Sequence, residues 1–359
     1  MGTQPVPSVV VLGAGVVGLA VALELVDAGS TCTIVDPEPG HGASWAAAGM
    51  LSPAAEVAPG EEALLADLRA SALLWPAFAR RVQDAGAVDV GYRPSGSVLV
   101  GLTPSDAREA ARLAGLAAST GIEVEPLTSA DLERLEPPLA AGVRSGWLLP
   151  GDHSVDNRRL VEGLLAAVKA RGARILEDRC VRVTPEPEGI RCSLEHQGDV
   201  VADRAVVAIG ATRSLAGLDE LGLPRVRPVR GTTLRLSSAP RVELPRRTIR
   251  AIVEGVACYL VPRGDRELVI GATSEEQGYD EIARAGGVFQ LLDAARSILP
   301  CVDELAFDEV AVGLRPATPD NVPFVGKLAD PRIVAAVGHY RNGVLLAPLT
   351  ARRVATALT

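Results

Sequence analysis

The sequence predicts an α/β protein, α+β overall, in which a parallel-sheet unit is interrupted twice by antiparallel sheet. Three observations lead there. The chain opens with a glycine-rich strand–turn–helix. Strand and helix alternation returns near Asp156. Four β-rich runs with alternating polarity lie at 225–236, 250–254, 258–262 and 267–271.

The first element is Val9-Val-Val-Leu12, followed by Gly13-Ala-Gly15-Val-Val-Gly18, an apolar helical run to Leu25, and Thr33-Ile-Val35-Asp36. Each glycine has a physical job. Gly13 turns the chain off the strand, Gly15 leaves room for a pyrophosphate against the backbone, and Gly18 lets the helix pack on the sheet. The helix N-terminus offers free N–H groups and a positive dipole end. Asp36 stands where an acid accepts hydrogen bonds from a ribose. The pattern predicts a Rossmann-like dinucleotide site without separating NAD from FAD. Residues 9–26 are apolar enough to suggest a membrane span, but the glycine turn accounts for them better. Residues 1–8 hold no Lys or Arg, so they do not read as a signal peptide, and a cytoplasmic location with no membrane partner is the expectation.

A chain of 359 residues is long enough for two domains. A net charge of −8 gives nucleic acid no electrostatic footing. Lys169 and Lys327 are the only lysines, so nearly all positive charge is arginine. The five cysteines, Cys32, Cys180, Cys192, Cys258 and Cys301, form no CxxC, and the four histidines do not cluster, so neither structural disulfides nor a metal site is expected.

After the small-residue tract 42–53, an amphipathic helix is expected at 61–83, a strand at 97–101, and helices at 105–120 and 130–135. Helix 156–171 has Asp156 as N-cap. Strand 173–176 and a meander at 181–183, 190–194 and 199–202 follow. The buried run 204–212 ends on Gly210, a second place for backbone to approach a cofactor. Beyond the four β-rich runs, 279–299 reads as helix, 308–313 and 333–338 as strands, and 343–357 as a closing helix.

An NAD enzyme keeps its fingerprint domain as one continuous block. Here the block breaks after two strands and resumes more than ~100 residues later, and the strand ending at Gly210 and the terminal loop and helix are the extra pieces a flavin enzyme uses. Three segments then carry a specific resemblance: Ala43-Ser-Trp-Ala-Ala-Ala-Gly-Met-Leu-Ser-Pro53, Gly313-Leu-Arg-Pro-Ala-Thr-Pro-Asp320, and Gly338-His-Tyr-Arg-Asn-Gly-Val-Leu-Leu-Ala-Pro348. With the fingerprint they span nearly the whole chain. The chain resembles the D-amino-acid oxidase family of FAD-dependent oxidoreductases, and the alanine-rich first segment is most similar to its glycine-oxidising branch, linked to thiamine biosynthesis.

The resemblance implies a FAD-binding domain at 1–85, 150–224 and 312–359, with an antiparallel substrate domain at 86–149 and 225–311. It also implies oxidative deamination of glycine, with sarcosine, D-amino acids or D-proline as alternative substrates. Hydride passes from the substrate Cα to flavin N5, and the imine is hydrolysed to glyoxylate and ammonia or taken by a thiazole synthase. Molecular oxygen is reduced to hydrogen peroxide. A non-catalytic flavoprotein is the distant alternative. No residue is assigned as general acid or base, and a homo-oligomer is expected.

Arg315 is the expected carboxylate anchor, because a planar guanidinium holds a carboxylate through two parallel hydrogen bonds. Its competing reading is a structural pair with Asp308 or Asp320. Tyr259 could donate to the same carboxylate or be a core aromatic. Arg341 and Met50 are carried over as pocket residues, with a surface ion pair and a core methionine as their alternatives. Ser274 is a weaker pocket-wall candidate. His339 reads as a loop-ordering hydrogen-bonder. The cofactor contacts carried over are Gly13, Gly15, Val16, Val17, Gly18, Asp36, Pro37, Ala43, Ser44, Ala48, Gly49, Met50, Val181, Gly210, His339, Tyr340, Arg341, Asn342, Gly343, Val344 and Leu345. The family usually has glutamate where Asp36 stands, which implies longer or water-bridged ribose contacts. No cysteine is placed for covalent attachment at 313–321, so FAD is expected to bind non-covalently.

Overall fold

The computed structural model describes residues 6–53, 64–213, 215–239 and 242–358. Its centre is a six-stranded sheet in the order Phe324–Lys327, Ile333–Val337, Arg204–Val207, Ser8–Leu12, Thr31–Asp36 and Arg174–Glu177. All neighbours are parallel except Phe324–Lys327, which returns antiparallel on Ile333–Val337. The inner strands are buried on both faces, which is why Val9–Leu12 and Ile333–Val337 read as unbroken apolar runs. Helices Val16–Asp27, Leu65–Gly86, Asn157–Ala170 and Gly343–Leu358 share one core against this sheet. A three-stranded meander, Cys180–Glu186, Gly189–Leu194 and Asp199–Ala202, contributes to the core on the other side.

A second, eight-stranded sheet runs Ala306–Ala317, Arg227–Ser237, Glu267–Gly271, Val256–Arg263, Thr248–Val253, Ser97–Gly101, Ser145–Leu149 and Glu125–Thr128. It is antiparallel except where Thr248–Val253 lies parallel to Ser97–Gly101. Helix Ala285–Ile298 packs on it over a separate apolar core.

Most expected elements are present. Asp156 caps its helix, accepting from the N–H groups of Arg158 and Arg159 at 3.0 and 3.2 Å. The helix expected at 61–83 is Leu65–Gly86, its expected start lying outside the described residues. The helix expected from 279 begins only at Ala285. The preceding loop is held open because Asp280 pairs with the buried Arg230 at 2.9 Å. The strands Glu125–Thr128, Ser145–Leu149 and Phe324–Lys327 went unanticipated.

Candidate active site

A cleft of about 460 Å³ runs between the two sheets, within the range usual for small-molecule sites. The glycine turn forms one end. Gly13 takes φ +104°, and a Cβ there would overlap the Ala208 carbonyl, while a Cβ on Gly18 would overlap the Gly13 carbonyl. Gly18 thus serves helix-to-turn packing and does not line the cleft, whereas Gly13, Gly15, Val16 and Val17 do. Helix Val16–Asp27 has no N-cap side-chain bond and no acid in its first turn, so its positive end remains for an anion. Ser44 Oγ accepts from the Val16 N–H at 3.0 Å, which ties the small-residue tract to this turn.

Asp36 lines the cleft and its carboxylate braces the turn that carries it. One oxygen accepts from the Ala14 N–H at 2.7 Å, the other from the Glu38 N–H at 2.8 Å. Pro37 lines the cleft beside it. Gly210 adopts φ +61° with open space where a Cβ would stand, so it leaves room for a ligand. Val181 is 42% exposed and is not among the residues lining the cleft, whereas its neighbours Arg179 and Cys180 are.

The tract Ala43–Met50 makes one wall. Gly313 lets it sit directly on strand Ala306–Ala317, because a Cβ there would come 2.7 Å from Ala46 Cβ. The tract is clamped from behind by three buried side chains that sequence reasoning missed. Asn157 Nδ2 donates to the carbonyls of Ser44 and Trp45 at 2.9 Å each. Thr233 Oγ1 donates to Ala46 O at 2.9 Å, and Arg263 donates to Ala48 O. For Thr233 and Arg263 the available signal was a polar residue inside a strand; Asn157 opens a helix and gave none.

The far end holds the expected substrate residues together: Arg315, Arg341, Tyr259 and Met50 all line the cleft. Arg315 Nη1 donates to Thr273 O at 3.1 Å and weakly to Arg230 O at 3.4 Å. Neither expected structural partner engages it: Asp308 accepts from Ser237 and Asp320 from the Val322 N–H. Its guanidinium lies over Gly231, and the Tyr259 ring lies over Gly271. Met50 packs with Tyr259, Ala48, Val261 and Val269. Ser274 is exposed and does not line the cleft; its buried neighbour Thr273 supplies the carbonyl under Arg315.

The terminal loop is bonded to the strand carrying Arg315, since the Tyr340 N–H donates to Pro316 O at 2.7 Å and His339 bridges Ala317. His339, Tyr340, Arg341, Gly343 and Val344 line the cleft, whereas Asn342 and Leu345 are buried behind it. Asn342 O accepts the first helical bond from the Leu346 N–H, and Leu345 O accepts from Ser71 and Trp75. His339 bonds Thr350 Oγ1 at 3.0 Å, and burial lowers its ring to a pKa of about 4, so it stays neutral and orders the loop. No acid stands in the first turn of helix Gly343–Leu358. Two acid-free helix N-termini, the glycine turn and an acid at the ribose position suit a long dinucleotide with anionic or electron-rich groups.

Elsewhere, the buried Asp178 meets the exposed Glu195 and His196, but Asp178 is engaged by the His196 ring and by backbone N–H groups of residues 179, 196 and 197. No helix among the described residues is long and apolar enough to cross a membrane.

The family model described as FAD dependent oxidoreductase matches residues 8–357. A glycine oxidase of Geobacillus kaustophilus is 32% identical over 351 residues, 97% of this chain and 91% of that protein. The bifunctional protein ThiO/ThiG of Trichormus variabilis is 32% identical over 352 residues, 97% of this chain and 52% of that protein, so the chain spans about half the length of that relative. The crystal structure of glycine oxidase from Geobacillus kaustophilus superposes with a TM-score of 0.89 at 30% identity, covering 98% of this chain and 95% of that one. The cleft, its two helix N-termini and the full-length match agree: the chain belongs to the FAD-dependent oxidoreductase family, and FAD is its cofactor.

Proposed function

We propose that this chain oxidatively deaminates glycine: glycine, oxygen and water give glyoxylate, ammonia and hydrogen peroxide. The observation that carries this reading is Arg315. Its guanidinium is held flat over Gly231 by backbone carbonyls, lines the cleft, and pairs with no carboxylate among the described residues. Such a group takes a substrate carboxylate in a fixed orientation and so presents the substrate Cα in one place. Tyr259, on strand Val256–Arg263 with its ring over Gly271, is a second donor to that carboxylate, and Met50 bounds the space left for a side chain. The glycine turn and Asp36 hold the ADP half of the cofactor, and the tract Ala43–Met50 with the terminal loop holds the ring end. When bound, FAD supplies the acceptor for the two electrons that leave the substrate. The backbone N–H groups opening helix Gly343–Leu358 favour the negative charge that reduction brings.

The relatives named glycine oxidase support glycine as substrate. The bifunctional ThiO/ThiG relative supports a second activity working beside this one, and we assign it as a thiazole synthase that consumes the imine. The division into a FAD-binding domain at 1–85, 150–224 and 312–359, with a substrate domain at 86–149 and 225–311, belongs to this reading. So does a homo-oligomer, for which the exposed Ile282, Phe289 and Phe307 supply apolar surface. The test is anaerobic glycine added to the yellow holoenzyme, which should bleach the flavin absorbance, followed by peroxide assays across glycine, sarcosine and D-amino acids. Arg315→Ala should keep its FAD spectrum and raise KM for glycine roughly 10- to 100-fold, the worth of a charged hydrogen-bonded contact. An unchanged KM removes Arg315 from the substrate site.

A further inference from the structure

Arg263 ends strand Val256–Arg263 and is buried, 7% exposed. Its Nη2 donates to the Ala48 carbonyl, while Nε and Nη1 are buried without a hydrogen-bond partner among the described residues. The charged side chains that act on it most are Asp156, Arg235, Glu267 and Arg93. Both acids are engaged elsewhere, Glu267 with Arg235 and Asp156 with the N–H groups of its own helix. Burial lowers the Arg263 guanidinium to a pKa of about 10, with Asp156 opposing that shift, so it stays charged at neutral pH. A buried cation without a bonded carboxylate is costly, and a fold that needed only a donor for Ala48 O would be served by a neutral side chain.

The charge sits directly behind the cleft wall. Ala48, Gly49 and Met50 line the cleft, and the Ala48–Gly49 peptide presents its carbonyl to Arg263. In a planar trans peptide the N–H points opposite to the carbonyl, so the Gly49 N–H is directed away from Arg263, and no acceptor among the described residues takes it. Gly49 holds this peptide at φ +64°, where a Cβ would overlap Val155 O, and its own carbonyl accepts from the Val155 N–H at 2.9 Å. The peptide is therefore fixed on both sides and polarised from one.

We propose that Arg263 is a positioning residue that raises the electron affinity of the bound flavin, acting through the Ala48–Gly49 peptide from outside the cleft. The inference rests on the ring end of FAD lying against the Ala43–Met50 wall. Glycine bleaching of the wild-type holoenzyme tests the substrate reading separately. The probe is sulfite, whose adduct with oxidised flavin reports electron affinity without turnover. Arg263→Gln keeps a donor for Ala48 O and removes the charge. It should bind sulfite about tenfold more weakly, which is about 30 mV in the two-electron potential. Arg263→Lys keeps a charge that burial brings into the accessible range. Its sulfite affinity relative to wild type should fall as pH rises between about pH 6 and pH 10, because the buried ammonium deprotonates. A structural clamp alone would give no such pH dependence. Unchanged sulfite affinity in FAD-loaded Arg263→Gln overturns the proposal, as does a flat Lys-to-wild-type ratio across that pH range. If the Gln variant loses FAD, the Lys profile decides; if both lose it, Arg263 is a clamp only and the proposal fails.

Discussion

Gly231 has no side chain because the Arg315 guanidinium occupies the space a Cβ would need. Gly231→Ala should therefore displace Arg315, raising KM for glycine about tenfold or more while leaving the FAD spectrum intact. Gly115→Ala, in helix Pro104–Ser119 with open space around it, is the control and should stabilise the fold by about 1 kcal/mol. A steady-state KM and a urea midpoint separate the two effects. His339 carries a pH signature. Burial depresses its pKa from 6.5 to about 4, so between those values the unfolded chain takes up a proton that the folded chain refuses. Its contribution is fully present above about pH 6.5 and is lost as pH falls toward 4, about 3 kcal/mol over the full shift. Urea unfolding at about pH 7 and pH 4.5 should show His339→Gln losing less stability on acidification than wild type. The sequence reveals such residues unevenly. Asp156 announces its cap because its partners are its neighbours, whereas Gly231 takes its meaning from the distant Arg315 and Arg263 from Ala48, 215 residues away, which no local pattern contains.

Elements were legible where one face repeats and obscure where a distant contact decides. Helix Asn157–Ala170 follows from its cap and apolar face. The late start at Ala285 follows instead from Arg230, whose bond to Asp280 reaches across 50 residues. Strand Glu125–Thr128 contains Pro126, which argues against a central strand; at the sheet edge the missing N–H costs nothing. Strand Phe324–Lys327 likewise sits at an edge, short and only half-buried. The cleft-forming helix Gly343–Leu358 shows how elements share the load. Pro348 inside it removes the donor that Val344 O would take, and the neighbouring Leu345 O is held from outside by Ser71 Oγ at 2.6 Å and Trp75 Nε1 at 2.8 Å on helix Leu65–Gly86. Trp75 is completely buried. Trp75→Phe should remove one of those bonds and part of the packing, lowering stability by about 1–3 kcal/mol. It should also weaken FAD binding, because the helix start it fixes lines the cleft. Urea unfolding and FAD titration of the apoprotein measure both, and a loss of stability with unchanged FAD affinity would uncouple the helix packing from the cleft.

At the scale of the whole molecule, the order of segments carried more than any single motif. The glycine turn specified a dinucleotide, and the segments around Arg315 and Gly343 narrowed it to a flavin. What the order could not convey is that residues from both sheets share one cleft: Gly13 and Asp36 come from the parallel sheet, Tyr259 and Arg315 from the antiparallel one. A cofactor lying in that cleft touches both sheets, so its binding energy adds to the stability of the whole folded chain. For a ligand that binds only the folded state, the gain follows RT ln(1 + [L]/Kd), about 2.7 kcal/mol at a hundredfold excess over Kd. Apoprotein titrated with FAD should therefore melt at temperatures that rise with the logarithm of free FAD. Unfolding followed by tryptophan fluorescence and by flavin release should coincide, since Trp75 lies in the core beside the parallel sheet, Trp147 belongs to the antiparallel one, and Trp45 lies in the tract seated on strand Ala306–Ala317. FMN, which lacks the adenosine that the glycine turn and Asp36 would hold, should give a much smaller rise. Equal stabilisation by FMN would mean that the ring end alone supplies the binding energy, and the glycine turn would lose its role as the anchor of the cofactor.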